Sequence, residues 1–324
     1  MYKIDFSHPG KAHFIGIGGI SMSGFAELLH TMGFTITGSD RTASKITKHL
    51  ETLGIEVIYE QAAKNITPNI DFVVYTAAIS EDNPEFVRAK ELGLPMMERA
   101  SMVGQVMKNY STAIAVSGTH GKTSTTSITS HILMEAGLDP TISVGGILPA
   151  IGGNIRVGGP EFFVTEACEY TNSFLSFYPT MAVILNIEED HLDFFKDLAD
   201  IRHSFHRFAG LLPENGLLII NSDIENYQEI IEAAKGKVIT FGHSRGNDYS
   251  AGDIQYDDYA HPSFDLYIGG EKKERLTLGV AGEHNVYNAL AAIAVSLENG
   301  VSMDAIRVGL AHFTGTNRRS EKKG

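Results

Sequence analysis

Apolar positions in the first third of the chain recur with two alternating spacings, which predicts strands that alternate with helices. Residues 12–15 are apolar and lead into a glycine cluster, and residues 20–32 then carry apolar side chains at helical spacing. Further strands are predicted at 35–40, 55–58 and 71–78, with helical stretches ending at Leu53 and around 84–93. This alternation favours a parallel sheet with right-handed crossovers, so residues 1–108 are predicted to form a Rossmann-like α/β domain.

The pattern restarts after a polar break at residues 108–111. A β-branched strand, a glycine turn and a long helix follow, and the region 248–282 alternates apolar and polar residues around Gly269 and Gly270. Strands are predicted at 161–167, 180–186, 216–223 and 237–242, and helices near 197–209 and 225–234. Residues 109–314 are therefore expected to form a P-loop ATPase-type α/β domain with an added antiparallel β segment.

Two helices and a tail complete the pattern. Residues 284–300 are apolar on almost every face, which predicts a buried helix with a stop at Gly300, and residues 303–313 are amphipathic. Residues 315–324 are polar and basic without an apolar face, so they are interpreted as a linker.

Composition narrows the possible classes of protein. The formal net charge of -13 argues against nucleic acid or an anionic membrane as a partner, because long-range repulsion opposes both. A single cysteine excludes an intramolecular disulfide framework, and no stretch reaches the roughly 20 apolar residues that span a bilayer. The expectation is a soluble, cytoplasmic protein that binds phosphates through local features.

The most specific local motif follows the first strand of the second domain. Backbone N–H groups of such a turn cradle phosphates, Lys122 can reach β and γ oxygens, and the Thr123 hydroxyl can ligate Mg²⁺. Val116 stands where the full P-loop pattern has glycine, and an ordinary glycine turn with a surface lysine is the alternative. The candidate ATP-binding residues are Gly118, Thr119, His120, Gly121, Lys122, Thr123 and Ser124.

A second glycine turn follows the first strand of the chain. Gly16, Gly18 and Gly19 resemble a dinucleotide fingerprint with Ser21 in place of the third glycine, and Asp40 ends the next strand. An NAD site, a nucleotide-sugar site and a purely structural turn all fit this motif.

Polar residues at strand and helix ends supply further candidates. Glu166 and the segment 186–191, which ends at His191, follow apolar strands, where an open parallel sheet places its ligands. Glu166 is thus a candidate Mg²⁺ ligand or a solvated strand-end carboxylate. His284 and Asn288 share one face at the start of the buried helix, where they satisfy neighbouring backbone or contact a ligand.

Eight segments in this order resemble the Mur ligase family, and the resemblance covers the whole chain. They are HFIGIGGISMSG (13–24), GSD (38–40), TAAIS (76–80), GTHGKTSTT (118–126), TEACEYTNSFL (165–175), NIEEDHLDFF (186–195), GEHNVYNALAA (282–292) and FTGTNRRSEKKG (313–324). Within the family the details are most similar to the members that join L-alanine to UDP-N-acetylmuramate.

The resemblance implies roles for particular residues. The diphosphate of the UDP-sugar would meet the first turn, formed by Gly16, Gly18, Gly19, Ile20 and Ser21, and the loop Thr76, Ala77, Ala78, Ile79 and Ser80, with Asp40 near the uridine. Lys122 and Thr123 would hold ATP phosphates, and Thr123, Glu166 and His191 would hold metal. His284 and Asn288 would meet the adenine end of ATP, and Arg319 would approach the γ-phosphate.

The implied reaction is an ATP- and Mg²⁺-dependent ligation of L-alanine to UDP-N-acetylmuramate through an acyl phosphate, in peptidoglycan precursor synthesis. Lys122, Glu166, His191 and Arg319 would be the catalytic residues. A third domain that helps bind ATP and L-alanine is also implied. These 324 residues do not include it, so tight sugar-nucleotide binding with weak ATP binding and poor ligation is expected of them alone.

Two residues depart from the family pattern. Ser320 stands where an apolar residue is expected, and Cys168 stands where many relatives carry Asp. The carboxylates next to Cys168 should raise the pKa of its thiol, so Cys168 is not a candidate nucleophile.

Three other functions are alternatives to this ligation. They are a family member that attaches a murein peptide to UDP-N-acetylmuramate, an NAD-dependent dehydrogenase, and a nucleotide-binding module without catalysis.

Overall fold

The computed structural model describes residues 2–315, and the chain divides into two compact units. The first extends to Val106 and the second begins at Met107. Each unit contains its own sheet, as the restart of the sequence pattern after residue 108 predicts. The α/β fold class is therefore confirmed.

The first unit contains a five-stranded parallel sheet with the order β3-β2-β1-β4-β5. The chain runs outward from β1 through β2 to β3 and then returns to pair β4 with the other edge of β1. The crevice at the carboxyl ends of β1 and β4 is thus the point where the strand order reverses, which is the usual ligand position in open α/β sheets. The strands are β1 (Lys11–Ile15), β2 (Thr35–Ser39), β3 (Glu56–Ile58), β4 (Phe72–Tyr75) and β5 (Met96–Glu98), and the helices are α1 (Ile20–Thr31), α2 (Lys45–Thr52), α3 (Pro84–Glu91) and α4 (Arg99–Met107).

A buried polar cluster crosses this first sheet. The Glu85 carboxylate, which is fully buried, accepts hydrogen bonds from Ser39 Oγ at 2.5 Å and Asn65 Nδ2 at 2.6 Å. His13 Nε2 lies 3.6 Å from the same carboxylate, and His13 Nδ1 is 2.9 Å from the Thr37 hydroxyl. Because a buried carboxylate needs such partners, this cluster links the start of α3 to β1 and β2.

The second unit contains a ten-stranded mixed sheet with the order β15-β14-β13-β12-β11-β10-β6-β9-β7-β8. The strands from β13 to β7 in this order pair in parallel, and the pairs β7–β8, β13–β14 and β14–β15 are antiparallel. The predicted antiparallel addition after residue 248 is confirmed. The strands are β6 (Thr112–Ser117), β7 (Thr141–Leu148), β8 (Gly153–Arg156), β9 (Phe162–Glu166), β10 (Met181–Ile184), β11 (Leu217–Asn221), β12 (Lys237–Gly242), β13 (Tyr249–Tyr256), β14 (Pro262–Ile268) and β15 (Glu271–Thr277).

The helices of the second unit are α5 (Lys122–Glu135), α6 (Leu198–Ala209), α7 (Tyr227–Ile231), α8 (His284–Glu298) and α9 (Met303–His312). The prediction of a buried helix at 284–300 is confirmed, since Ala289 through Val295 have no exposed surface. The helix expected near 225–234 is shorter, because Asn226 adopts a left-handed φ of 57° and α7 begins only after it.

None of the helices within residues 2–315 combines the length and the apolar character needed to cross a membrane.

Candidate functional site

The turn after β6 is shaped to hold phosphates. It connects β6 to α5, and Gly121 precedes the first residue of the helix with a left-handed φ of 83°. A Cβ built on Gly121 would lie 2.5 Å from Asn288 Oδ1, so only glycine fits this position. The turn thus presents the N-terminus of a 14-residue helix, where unpaired N–H groups favour an anion.

The ammonium of Lys122 lies inside this turn. Its Nζ donates to the carbonyl oxygens of Gly118 at 2.5 Å and Thr119 at 3.2 Å, and to both carboxylate oxygens of Glu169 at 2.9 and 3.2 Å. The Lys122 side chain is 15% exposed and that of Glu169 only 2%. The cation is therefore fixed at the place where the motif expects it to meet phosphate oxygens.

Thr123 and Glu166 each place a side-chain oxygen atom beside the turn. The Thr123 hydroxyl donates to Glu166 Oε2 across 3.1 Å, and the backbone N–H of Gly145 donates to Glu166 Oε1 at 2.5 Å. Val116 pairs with Glu166 across the β6–β9 ladder, so the sheet register sets this approach. The structure thus brings together Lys122, Thr123 and Glu166.

Asn186 holds the opposite side of the turn. Its side-chain amide accepts from the His120 N–H at 2.7 Å and donates to the His120 carbonyl at 3.0 Å, while its own carbonyl accepts from the Thr119 N–H at 3.1 Å. Thr119 Oγ1 in turn accepts from the Glu188 N–H at 2.9 Å. The end of β10 therefore stabilises the loop conformation.

The start of α8 closes the site above Gly121. Asn288 is 6% exposed and donates to Asn285 Oδ1 at 3.0 Å, whereas His284 is exposed. Two cavities, of about 520 and 750 Å³, meet here, and both are lined by His120, Gly121, His284 and Asn288. The first continues over Asn221, Asp223 and His243, and the second over Tyr259, His261 and Phe313. Either volume is in the range that small-molecule ligands occupy.

His191 has surroundings of its own. Its ring lies 4.5 Å from the Tyr170 ring, its Nε2 is 3.9 Å from Asp190 Oδ2, and its backbone has a left-handed φ of 53°. Within residues 2–315 no three His, Cys, Asp or Glu side chains are arranged to hold a metal ion. Of the three residues predicted to hold metal, Thr123 and Glu166 are hydrogen-bonded to each other, whereas His191 contacts Tyr170 and Asp190.

In the first unit, Asp40 fixes the glycine turn. The Gly18 N–H donates to Asp40 Oδ2 at 2.8 Å and the Arg41 N–H to Asp40 Oδ1 at 2.8 Å. A Cβ on Gly18 would lie 2.6 Å from Asp40 Oδ2 and 2.9 Å from Thr47 Cγ2. The carboxylate that was predicted to lie near uridine therefore also holds the turn in shape.

The loop 76–80 lies beside the same turn. The Ile79 N–H donates to the Thr76 carbonyl at 3.0 Å, and Ile79 Cδ1 comes within 3.7 Å of a Cβ built on Gly16. Ala77, Ala78 and Ser80 are exposed. Both segments follow neighbouring parallel strands, so the residues predicted to meet a diphosphate lie at one crevice.

Two positions named from the sequence, Arg319 and Ser320, lie outside the described residues. The pKa of the Cys168 thiol is raised, as expected, but the larger cause is desolvation of the sulfur and the smaller is repulsion from Glu169.

Glu169 contacts Lys122 in this turn, and the sequence motif does not predict it. The sequence suggests only an effect of Glu169 on the Cys168 thiol. The available signal was its position three residues after Glu166, at the same strand end.

Comparisons with known proteins agree with this geometry. Residues 11–111 match the domain described as "Mur ligase family, catalytic domain", and residues 116–296 match "Mur ligase middle domain". The chain therefore belongs to the Mur ligase family.

Individual relatives narrow the similarity further. The chain is 58% identical to UDP-N-acetylmuramate–L-alanine ligase of Lachnospira eligens. The match covers 100% of this chain and 71% of that ligase. The structure of UDP-N-acetylmuramate–alanine ligase from Thermotoga maritima is similar with a TM-score of 0.82 at 30% identity, covering 96% of this chain and 70% of that one. A ligase from Neisseria meningitides named for UDP-N-acetylmuramate and L-alanyl-γ-D-glutamyl-meso-diaminopimelate has a TM-score of 0.85 at 29% identity, covering 96% of this chain and 100% of that one.

Proposed function

We propose that this chain is the substrate- and ATP-binding part of an ATP-dependent ligase that joins L-alanine to the carboxylate of UDP-N-acetylmuramate, in peptidoglycan precursor synthesis. The proposal rests on the glycine turn between β6 and α5, with the Lys122 ammonium inside it and the Thr123–Glu166 pair beside it. The 58% identity over the whole chain to an L-alanine ligase supports L-alanine as the acceptor.

The turn after β6 is the proposed site for the ATP phosphates. Gly118 to Ser124 supply backbone N–H groups and the helix N-terminus, and the Lys122 ammonium offsets the charge of the β and γ phosphates. The base would lie in one of the two cavities at His284 and Asn288, whose side chains line both.

Thr123 and Glu166 are the proposed Mg²⁺ ligands. A hydroxyl and a carboxylate oxygen 3.1 Å apart suit a small cation that prefers oxygen ligands and takes the remainder from water and phosphate. When bound, Mg²⁺ would withdraw charge from the phosphate oxygens. His191 remains a proposed third ligand.

The reaction follows from the weak reactivity of a carboxylate as an acyl donor. A carboxylate oxygen of the muramic acid attacks the γ-phosphorus, the bond to the β-γ bridging oxygen breaks, and ADP leaves. The neutral amine of L-alanine then attacks the acyl carbon, the bond from this carbon to the phosphate oxygen breaks so that phosphate leaves, and the nitrogen loses a proton to water. Two anions approach each other in the first step, so the role of Lys122 is to offset the charge that accumulates there, and Arg319 is proposed to assist it.

The UDP-sugar is proposed to bind the first unit. Gly16, Gly18, Gly19, Ile20 and Ser21 would meet the diphosphate together with residues 76–80. Asp40 holds Gly18 so that the backbone can approach phosphate oxygens closely.

Acceptor choice is tested by phosphate release from ATP in the presence of UDP-N-acetylmuramate, with the chain extended to the full length of its relatives, because poor ligation is expected of these 324 residues alone. We expect L-alanine to stimulate release and L-alanyl-γ-D-glutamyl-meso-diaminopimelate to leave it at the level without acceptor. The reverse preference would identify a peptide-adding enzyme instead. A chain that binds NADH and no uridine nucleotide would contradict both assignments.

A further inference from the structure

We propose that Glu169 is a positioning residue for the Lys122 ammonium, and that it stays paired with Lys122 when a nucleotide phosphate enters. The inference rests on the proposed function of the turn as a nucleotide site. Both Glu169 carboxylate oxygens lie within 3.2 Å of Lys122 Nζ. No role in binding or catalysis follows for Glu169 from the glycine-turn motif itself.

Burial distinguishes this pair from a surface ion pair. The Glu169 side chain is 2% exposed, and Lys122 Nζ is its hydrogen-bond partner in the described part of the chain. A buried carboxylate that loses its partner is strongly unfavourable. The contact between Glu169 and Lys122 therefore has to persist through the binding cycle.

The Lys122 ammonium has fewer N–H donors than oxygen acceptors around it. It has three N–H donors, and the four oxygens around it belong to Gly118, Thr119 and Glu169. A phosphate oxygen must displace at least one of them. Neutral carbonyls bind an ammonium more weakly than a carboxylate does, so the carbonyl contacts are released and Glu169 remains. Lys122 would then turn about Glu169 toward the phosphate.

The backbone on both sides of Glu169 is held in place. The Ala167 N–H donates to the Val116 carbonyl at 2.8 Å, which extends the β6–β9 contact past the end of the strand. After Glu169 the chain turns sharply, with left-handed φ values of 54° at Thr171 and 57° at Asn172. The Asn172 side chain accepts from the buried Ser204 hydroxyl at 2.7 Å. The chain is thus held on both sides of Glu169, which limits the positions that its carboxylate can take beside the ammonium.

A double-mutant cycle on ADP binding tests the proposal. The dissociation constant of ADP with Mg²⁺ is measured by calorimetry for the parent chain, Glu169→Gln, Lys122→Met and the double variant. We expect Glu169→Gln to weaken binding about tenfold in the parent, the scale of one charged hydrogen bond, and less than about twofold in the Lys122→Met background. Glu271→Gln is the matched control, because Glu271 is 77% exposed and pairs with Lys273 at 2.6 Å away from the site; its ADP affinity should equal that of the parent.

Two results would overturn the inference. If Glu169→Gln binds ADP as tightly as the parent or more tightly, Glu169 merely offsets charge. If it weakens binding by the same factor in both backgrounds, Glu169 supports the fold of the turn and does not act through Lys122. Should Glu169→Gln fail to fold, Glu169→Asp keeps the charge with a shorter reach and should show the same dependence on Lys122. A parent chain that binds no ADP would instead contradict the proposed nucleotide site.

Discussion

The Thr123 hydroxyl donates a hydrogen bond to Glu166 Oε2 across 3.1 Å. This contact joins the first turn of α5 to the end of β9, two elements that the parallel β6–β9 register brings side by side. Each group has an oxygen atom that can coordinate a metal ion, and both lie next to a helix N-terminus that favours phosphate. The pair therefore defines where a magnesium nucleotide should bind.

Replacing Glu166 by Gln should weaken metal binding without removing the hydrogen-bond acceptor. We expect the Mn²⁺ affinity in the presence of ADP, measured by electron paramagnetic resonance, to fall at least about tenfold, a loss that even outer partners of metal sites reach. Glu161→Gln, an exposed carboxylate just before the other end of β9, is the control and should keep the parent affinity. Equal affinities for the two variants would remove Glu166 from the metal site.

Replacing Gly121 by Ala should damage both the fold and the nucleotide site. The new Cβ would lie 2.5 Å from Asn288 Oδ1 and 3.2 Å from Leu185 Cδ1 at a left-handed φ. Gly137→Ala is matched to it, because Gly137 has a φ of 74° and nothing within 4 Å of the added carbon. The control should lose only the strain of about 1 kcal/mol in unfolding free energy and keep ATP affinity.

Gly121→Ala should lose more stability than the control and should bind ATP weakly. Chemical denaturation and calorimetry measure the two quantities. If both variants lose the same stability and keep ATP binding, the contact with Asn288 does not constrain the turn.

The sequence was most informative where a motif and a strand end coincide. Residues 118–124 were predicted to form a phosphate turn because glycines, a lysine and a threonine follow a β-branched strand, and the structure has this turn between β6 and α5. The alternation of strands and helices also predicted both sheets. Local chemistry and periodicity determine these features, so one sequence is sufficient to infer them.

Other features depend on contacts between distant residues. The strands β7 and β8 were not predicted, because Thr141–Leu148 contains two glycines and Gly153–Arg156 is short and polar. Neither β5 nor α4 was anticipated between residues 96 and 107, where the apolar spacing is irregular. The pairing of Lys122 with Glu169 joins residues 47 positions apart, and no local pattern reports such a contact.

Replacing Glu85 by Ala should destabilise the first unit. The variant leaves the Ser39 hydroxyl and the Asn65 amide without the carboxylate that they now contact in the interior. We expect a loss of about 3 kcal/mol, because each buried donor that loses its acceptor costs about 1–3 kcal/mol. Hydrogen exchange at β1 and β2 amides of the whole chain measures it, and Glu81→Ala, an exposed neighbour, should exchange like the parent. Unchanged protection in Glu85→Ala would show that the cluster is not stabilising.

His131 should make the second unit less stable in mild acid. Burial, partly offset by Glu135, lowers the pKa of His131 from its ordinary value of 6.5, and neither ring nitrogen has a hydrogen-bond partner in the described chain. The unfolded state therefore binds a proton first as the pH falls, and stability decreases below about pH 6.5 until the folded pKa is reached.

His131→Leu removes this titration, so its thermal midpoint should change less between about pH 7.5 and pH 5.5 than that of the parent. His203→Leu, on the surface-facing side of α6, is the comparison. An identical pH dependence in His131→Leu and the parent would exclude His131 as its source.

Two different sites, one in each unit, are proposed to bind the UDP-sugar and the magnesium nucleotide. Calorimetric titration of UDP-N-acetylmuramate and of Mg-ATP into the parent chain, Lys122→Met and Gly18→Ala measures both sites separately. We predict that Lys122→Met weakens ATP binding at least about tenfold and keeps the UDP-N-acetylmuramate affinity within about twofold, and that Gly18→Ala does the reverse. Failure of the parent to bind UDP-N-acetylmuramate, or loss of both ligands in each variant, would contradict the account.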